Sequence, residues 1–173
     1  MVKIAKEVGP RRYRESQGRY FEELEVGDVY EHRPGKTVTE ADNHLFTLLT
    51  LNTHPLHFDA EYGAATEFGQ NLVVSTYTLA LAIGMSVADV SAKAVANLGM
   101  DEVKFPAPVF AGDTLYAESE VLDRRLSEKR PGQGIVTIRT IMKNQRGLTV
   151  CAFKRTMLVP CRGHGVEDRM ASY

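Results

Sequence analysis

The run from Leu72 to Val90 constrains this chain most: it is apolar nearly all round, and four segments of strand-like pattern follow it. Ser75, Thr76, Thr78, Ser86 and Asp89 interrupt the run, and no basic cluster flanks its start. A segment of this kind reads as a helix buried in a core rather than as a membrane span. Ala94 to Val103 is the first strand-like segment. In the second, Leu115, Ala117, Ser119 and Val121 alternate with charged Glu118 and Glu120, the period of a half-buried strand. Ile135 to Met142 and Val150 to Val159 make the last two. They are joined by Asn144-Gln145-Arg146-Gly147, with glycine where a hairpin loop often needs positive φ. Helical text followed by unbroken strand text argues for an α+β fold. An antiparallel sheet wrapped round the apolar helix would bury that helix on all sides.

Upstream, Val29 to Val38 suggests a first strand bent at Pro34-Gly35. Thr37 or Thr39 begins a helix, Thr39 with Asp42 three residues later being a capping-box-like start, and Leu45, Leu48 and Leu49 give that helix an apolar face. The turn Asn52-Thr53-His54-Pro55 ends it, because the residue before a proline avoids helical backbone. A short helical turn runs from Asp59 to Ala65. Residues 1–18 read as a polar N-terminal arm, with Tyr13 and Tyr20 as candidate anchors. Residues 19–160 form the domain, and 161–173 a C-terminal tail. Ser75 reads as an N-cap and Gly112-Asp113 as a strand-entry turn.

The chain has 173 residues, enough for one domain with a real core. Its net charge of -1 gives no reason to expect nucleic acid or an anionic membrane as partner. Cys151 and Cys161 lack metal-ligand spacing and are too few for a disulfide framework. Cys151 reads as a small buried hydrophobe. The charged N-terminal text has no apolar segment of the secretory kind, so a cytoplasmic location is expected.

The most informative text is Leu51-Asn52-Thr53-His54-Pro55-Leu56-His57, with a second block, KFPAPVFAGDTL, at Lys104 to Leu115. Together they resemble the MaoC-like, (R)-specific enoyl-CoA hydratase family, whose signature is glycine-aspartate, any residue, asparagine-proline-aliphatic-histidine. Within it, NTHPLHFDAEY, the NLGM of 97–100 and FPAPVFAGDTL look closest to the mesaconyl-CoA hydratase, or β-methylmalyl-CoA dehydratase, group. The resemblance implies a hot-dog fold and an acyl-CoA thioester substrate. It also implies sites shared between the subunits of a homodimer or a larger even-numbered assembly. Open sheet edges, which are commonly paired, point to the same assembly. No cofactor and no metal are expected.

Hydration of an enoyl thioester adds water at the β-carbon, so a base near neutrality must take a proton from water, and histidine suits that task. Charge moves to the thioester oxygen, where backbone N–H groups at a helix start can stabilise it. The resemblance places the acid–base pair at Asn52 and His57 and the enolate site at the start of the long helix, at the N–H of Ser75 or Thr76. Three departures stand out. Asn52 replaces the family aspartate, and an amide cannot accept the proton, although it can orient water. His54 replaces the family asparagine, as a second proton carrier or a contact for a substrate carboxylate. Val74-Ser75 stands where the family has histidine-glycine.

Each residue also has a plainer reading. His57 could be a capping histidine, Asn52 a turn residue and His54 a surface side chain. Glu40 and Asp42 read as helix-start carboxylates, either of which would supply the missing acid group if it turned into the pocket. Arg124, Arg125, Lys129 and Arg130 read as a solvated loop or as contacts for CoA phosphates.

The expected activity is a hydro-lyase acting on a short branched dicarboxylic enoyl-CoA such as mesaconyl-CoA or itaconyl-CoA. Losing the aspartate charge at Asn52 favours a substrate that carries its own carboxylate. The alternatives are a hot-dog acyl-CoA thioesterase, which would release thiol, and a non-catalytic acyl-CoA-binding subunit, which would bind without turnover.

Overall fold

The computed structural model describes residues 5–170. The elements are β1 (Ala5–Gly9), β2 (Arg12–Glu15), β3 (Val29–Thr37), α1 (Glu40–Thr50), α2 (Ala60–Ala64), α3 (Ser75–Met85), β4 (Ala96–Lys104), β5 (Thr114–Leu126), β6 (Gln133–Asn144) and β7 (Thr149–Pro160). Strands β3 to β7 form one five-stranded antiparallel sheet in the order β3-β5-β6-β7-β4. Strict alternation drives it. Leu115, Ala117, Ser119 and Val121 of β5 are buried, while the opposite face carries the ion pairs Glu118–Lys143, Glu120–Arg139 and Glu102–Lys154. Gly147 closes the β6–β7 loop at φ 77°, and Asn144 Oδ1 accepts from the N–H groups of Arg146 and Leu148. The bend at Pro34-Gly35 is a register shift between His32 and Lys36.

Helix α3 lies against the inner face of this sheet. It is not enclosed on all sides, as the sequence suggested: Thr78 and Ala82 are buried, but Ser75, Thr76, Ala80 and Gly84 are exposed. One curled sheet covers one flank, and small residues line the other. The helix is also shorter than the apolar run. It ends at Met85, and residues Val87–Ser91 form a π-helical turn that sets Asp89 over β3.

The core has two apolar clusters with a polar row between them. One holds Val73, Ala82, Ala117, Met142 and Phe153, and the other Leu24, Val90, Val121, Ile138 and Met157. Between Ala117 and Val121 sits Ser119, between Ile138 and Met142 sits Thr140, and between Phe153 and Met157 sits Arg155, all buried. His32 completes the row from β3. Its Nδ1–H donates to Asp89 (3.0 Å), its Nε2 accepts from Ser119 (2.8 Å), and Ser119 accepts in turn from Thr140 (2.8 Å). Arg155 donates from Nη2 to Ser86 Oγ (2.9 Å), and burial pushes its guanidinium down to about 10, still cationic at neutral pH.

Burial pushes the His32 imidazole below its ordinary value of 6.5, against the opposing pull of Asp89. A folded-state value below the unfolded one means the unfolded chain takes up the proton first. The stability that neutral His32 contributes is complete above about pH 6.5 and is lost as pH falls toward the lower folded value. The wild-type Tm is therefore expected to fall between pH 7.5 and pH 5.5, and His32→Gln to flatten that dependence. Parallel Tm–pH curves for the two proteins would refute this.

The N-terminal residues read as a polar arm include a hairpin, β1–β2, paired from Ala5–Glu15 to Gly9–Arg12. Tyr20, beyond the hairpin, is pinned to the C-terminal segment: its ring is buried and its hydroxyl donates to Asp168 (3.0 Å). Tyr13, within the hairpin, is 65% exposed. Lys93 ties the same region together through Glu167, Ser16 and the Gln17 carbonyl. No helix among the described residues is long and apolar enough to cross a membrane.

Candidate active site

The site is assembled at the start of α1. Thr39 caps the helix as the sequence suggested: its hydroxyl accepts from Asp42 N–H (3.1 Å), and the Asp42 carboxylate accepts from Thr39 N–H (2.8 Å). Asp42 also pairs with Lys36 at 2.9 Å, so it is committed to the cap. The side that α1 turns inward is polar, with Asn43 and Thr47 buried, whereas Leu45, Leu48 and Leu49 are exposed. The leucine face read as a core face thus points outward.

Asn43 is the organising residue. Its Nδ2 donates to the carbonyls of His57 (2.8 Å) and Leu72 (3.0 Å), and its Oδ1 accepts from Val74 N–H (2.9 Å). One amide therefore fastens α1 to the turn that carries His57 and to the start of α3. Sequence reading missed it. The available signal was an asparagine in a helix interior, where its propensity is poor unless the side chain has another task.

Pro55 opens a single 3-10 turn, Pro55–His57. His54 caps it through Nδ1, which accepts from Leu56 N–H (3.1 Å), and Asn52 Oδ1 accepts from His54 N–H at 3.3 Å. With its Nδ1 lone pair occupied, His54 offers only Nε2 outward. The His57 ring is fixed by Nδ1 at 3.0 Å from the Leu72 carbonyl. A carbonyl can only accept, so Nδ1 carries the hydrogen and Nε2 bears the lone pair. That tautomer is the one a base requires.

His57 borders a cavity of about 290 Å³ whose polar walls include Glu40, His44, Asn43 and Asn71. Of the residues singled out from sequence, only His57 and Glu40 line it. Asn52, His54, Ser75 and Thr76 lie outside, with the His54 and His57 rings 5.8 Å apart. Ser75 is the first helical residue of α3 rather than its cap, a place taken by Val74. Ser75 and Thr76 are exposed, and N–H groups at the first two helical positions have no partner within a helix. Gly112-Asp113 is structural, with Asp113 accepting from Phe110 N–H and from Gln145. Arg124 is held by Leu24 O and Glu25. Arg124 and Arg125 lie near the far end of β5 and do not line the cavity beside His57. No cluster of three or more metal-ligating side chains occurs among the described residues.

A family profile described as mesaconyl-CoA hydratase matches residues 5–170. A mesaconyl-CoA hydratase from Haloarcula marismortui is 34% identical over 88% of this chain, which spans 43% of that relative. Among solved structures, the MaoC-like dehydratase from Rhodospirillum rubrum superposes with a TM-score of 0.75 at 28% identity, covering 84% of this chain and 99% of that one. A Mycobacterium tuberculosis protein with a double hot-dog fold superposes with a TM-score of 0.77 at 26% identity, covering 86% of this chain and 47% of that one. The fold is thus a hot-dog fold, and the chain belongs to the mesaconyl-CoA hydratase family.

Proposed function

We propose that this protein adds water reversibly to a short branched dicarboxylic enoyl-CoA, with mesaconyl-CoA as the preferred substrate. One observation carries the reading: His57 presents a bare Nε2 beside a polar cavity, in a chain whose matched relatives are named mesaconyl-CoA hydratase. Nε2 takes a proton from water as the water oxygen bonds to the β-carbon. The displaced π electrons pass to the thioester oxygen as an enolate, which the N–H groups of Ser75 and Thr76 stabilise. The proton then returns to the α-carbon, so that H and OH have been added and no group is consumed. Asn52 orients the water through its amide. His54 Nε2–H is the contact for the free carboxylate of the substrate.

The working unit in this reading is a homodimer or a larger even assembly. The chain spans less than half of the Haloarcula relative. Strand β4 is exposed along its whole length at the sheet edge, with Leu98 52% and Met100 36% exposed. A second copy would cover this edge and the open flank of α3.

One experiment tests both points: light scattering to fix the assembly, then mesaconyl-CoA, itaconyl-CoA and crotonyl-CoA added to that sample, with enoyl absorbance and free thiol followed separately. The expected result is an even-numbered oligomer that removes enoyl absorbance without thiol release, fastest with mesaconyl-CoA. Thiol release identifies a thioesterase, and binding without turnover an acyl-CoA-binding subunit. A preference for crotonyl-CoA removes the dicarboxylate assignment, and an active monomer removes the assembly.

A further inference from the structure

By resemblance Asn52 stands where the family has its aspartate, yet the cavity beside His57 does contain a carboxylate. Glu40 stands in the first turn of α1 and His57 in the turn after it, and both line the same cavity of about 290 Å³. The other carboxylate at the helix start, Asp42, is consumed by Lys36 and Thr39. Among the described residues Glu40 makes no side-chain hydrogen bond or ion pair, so its charge is uncommitted. The His57 Nδ1–H is spent on a neutral carbonyl, Leu72 O, so nothing bonded to the ring offsets the positive charge it gains on taking a proton.

We infer that Glu40 is the charge partner of His57: the carboxylate needed at this site has moved from residue 52 to the first turn of α1. The inference rests on the hydratase reading above. Glu40 does not replace His57 as proton carrier. It acts through His57: its exposed carboxylate adds a negative charge to the wall of the cavity that the ring also borders while the imidazolium exists. An opposite charge near an imidazole favours its charged form. The other titratable groups around His57 are His44, also on the cavity wall, His54 in its own turn, and Asp59, which follows that turn and caps α2 by accepting from Tyr62 N–H. Helix α2 and the 69–71 loop contribute Ala60, Gly69, Gln70 and Asn71 to the cavity, none of which titrates.

The test uses the full chain and whichever enoyl-CoA it hydrates fastest. Glu40→Gln keeps size and helix propensity and removes the charge, and Glu40→Asp keeps the charge. Glu40→Gln is expected to lower kcat about tenfold or more, with KM within threefold and Tm unchanged. The acidic limb of its kcat/KM profile should move to lower pH. Glu40→Asp should keep the wild-type profile. Asn52→Asp placed in the Glu40→Gln background should recover turnover by returning a carboxylate to the family position, a rescue that a merely structural role for Glu40 would not show. Glu40→Gln within threefold of wild type, in a protein that His57→Ala inactivates, overturns the inference and leaves the hydratase reading intact. So does equal loss in Glu40→Asp and Glu40→Gln. A wild-type protein that hydrates no enoyl-CoA removes the hydratase reading, and this inference with it.

Discussion

Replacing His57 by alanine is expected to lower kcat for hydration by about 10²–10⁴-fold, the usual contribution of a positioned general acid–base group. The fold should survive. The ring makes one hydrogen bond to the protein, from Nδ1 to the Leu72 carbonyl, and that carbonyl keeps a second donor in Asn43. Losing one such bond costs about 1 kcal/mol, so circular dichroism and Tm should stay near wild type while turnover collapses. The split matters, because a structural histidine would lose both together. Turnover within a few-fold of wild type would remove His57 as the proton carrier.

Asn43→Ala is expected to act differently, lowering stability and turnover in parallel. The substitution deletes three hydrogen bonds and leaves the buried Val74 N–H without an acceptor. A buried donor left unsatisfied costs about 1–3 kcal/mol, and with the lost carbonyl contacts the total should be about 2–4 kcal/mol. For a domain of this size that corresponds to a Tm fall of roughly 5–15 °C. Turnover should drop as well, since the turn carrying His57 and the start of α3 lose their common fastening. Thermal unfolding and steady-state kinetics on the same preparation check both. A variant with wild-type Tm would mean that α1 is held to the His57 turn and to the start of α3 by other contacts.

The parts of this fold that sequence reveals are those where side chains face one surface at a fixed period. Strands β5 and β6 alternate cleanly over most of their length, and the Thr39–Asp42 cap marks the start of α1. The parts it hides are those where polar groups go inward. Helix α1 looks like a leucine-faced core helix, yet buries Asn43 and Thr47. The buried pattern is set by three partners distant in sequence, His57, Leu72 and Val74, and no local period encodes it. His32 and Arg155 sit in strands as charged-looking text and turn out to be buried. The N-terminal hairpin is charged and short, and the residues just after it are held by contacts that no local window contains, Lys93 to Ser16 and Tyr20 to Asp168. At the site, the Asn52–Pro55 stretch that ends α1 was legible because proline restricts its neighbour, whereas the 3-10 turn Pro55–His57 was not. Which side chains share the cavity with His57 was not, because that depends on the pitch of α1, which brings Glu40, Asn43 and His44 to one wall.

The polar row through the core also works as a register lock. Apolar strands can slide past one another by two residues and still present oil to oil, so hydrophobic alternation alone leaves such slips cheap. Here a slip of β6 by two residues against β5 would carry Thr140 away from Ser119 and set Met142 or Ile138 against its hydroxyl, breaking the chain of bonds that ends on Asp89. A slip by one would turn Arg139 inward, away from Glu120 on the outer face, and add a second buried guanidinium to that of Arg155. The hydroxyls of Ser119 and Thr140 thus act as index marks that let the chain find a single alignment among several oily ones.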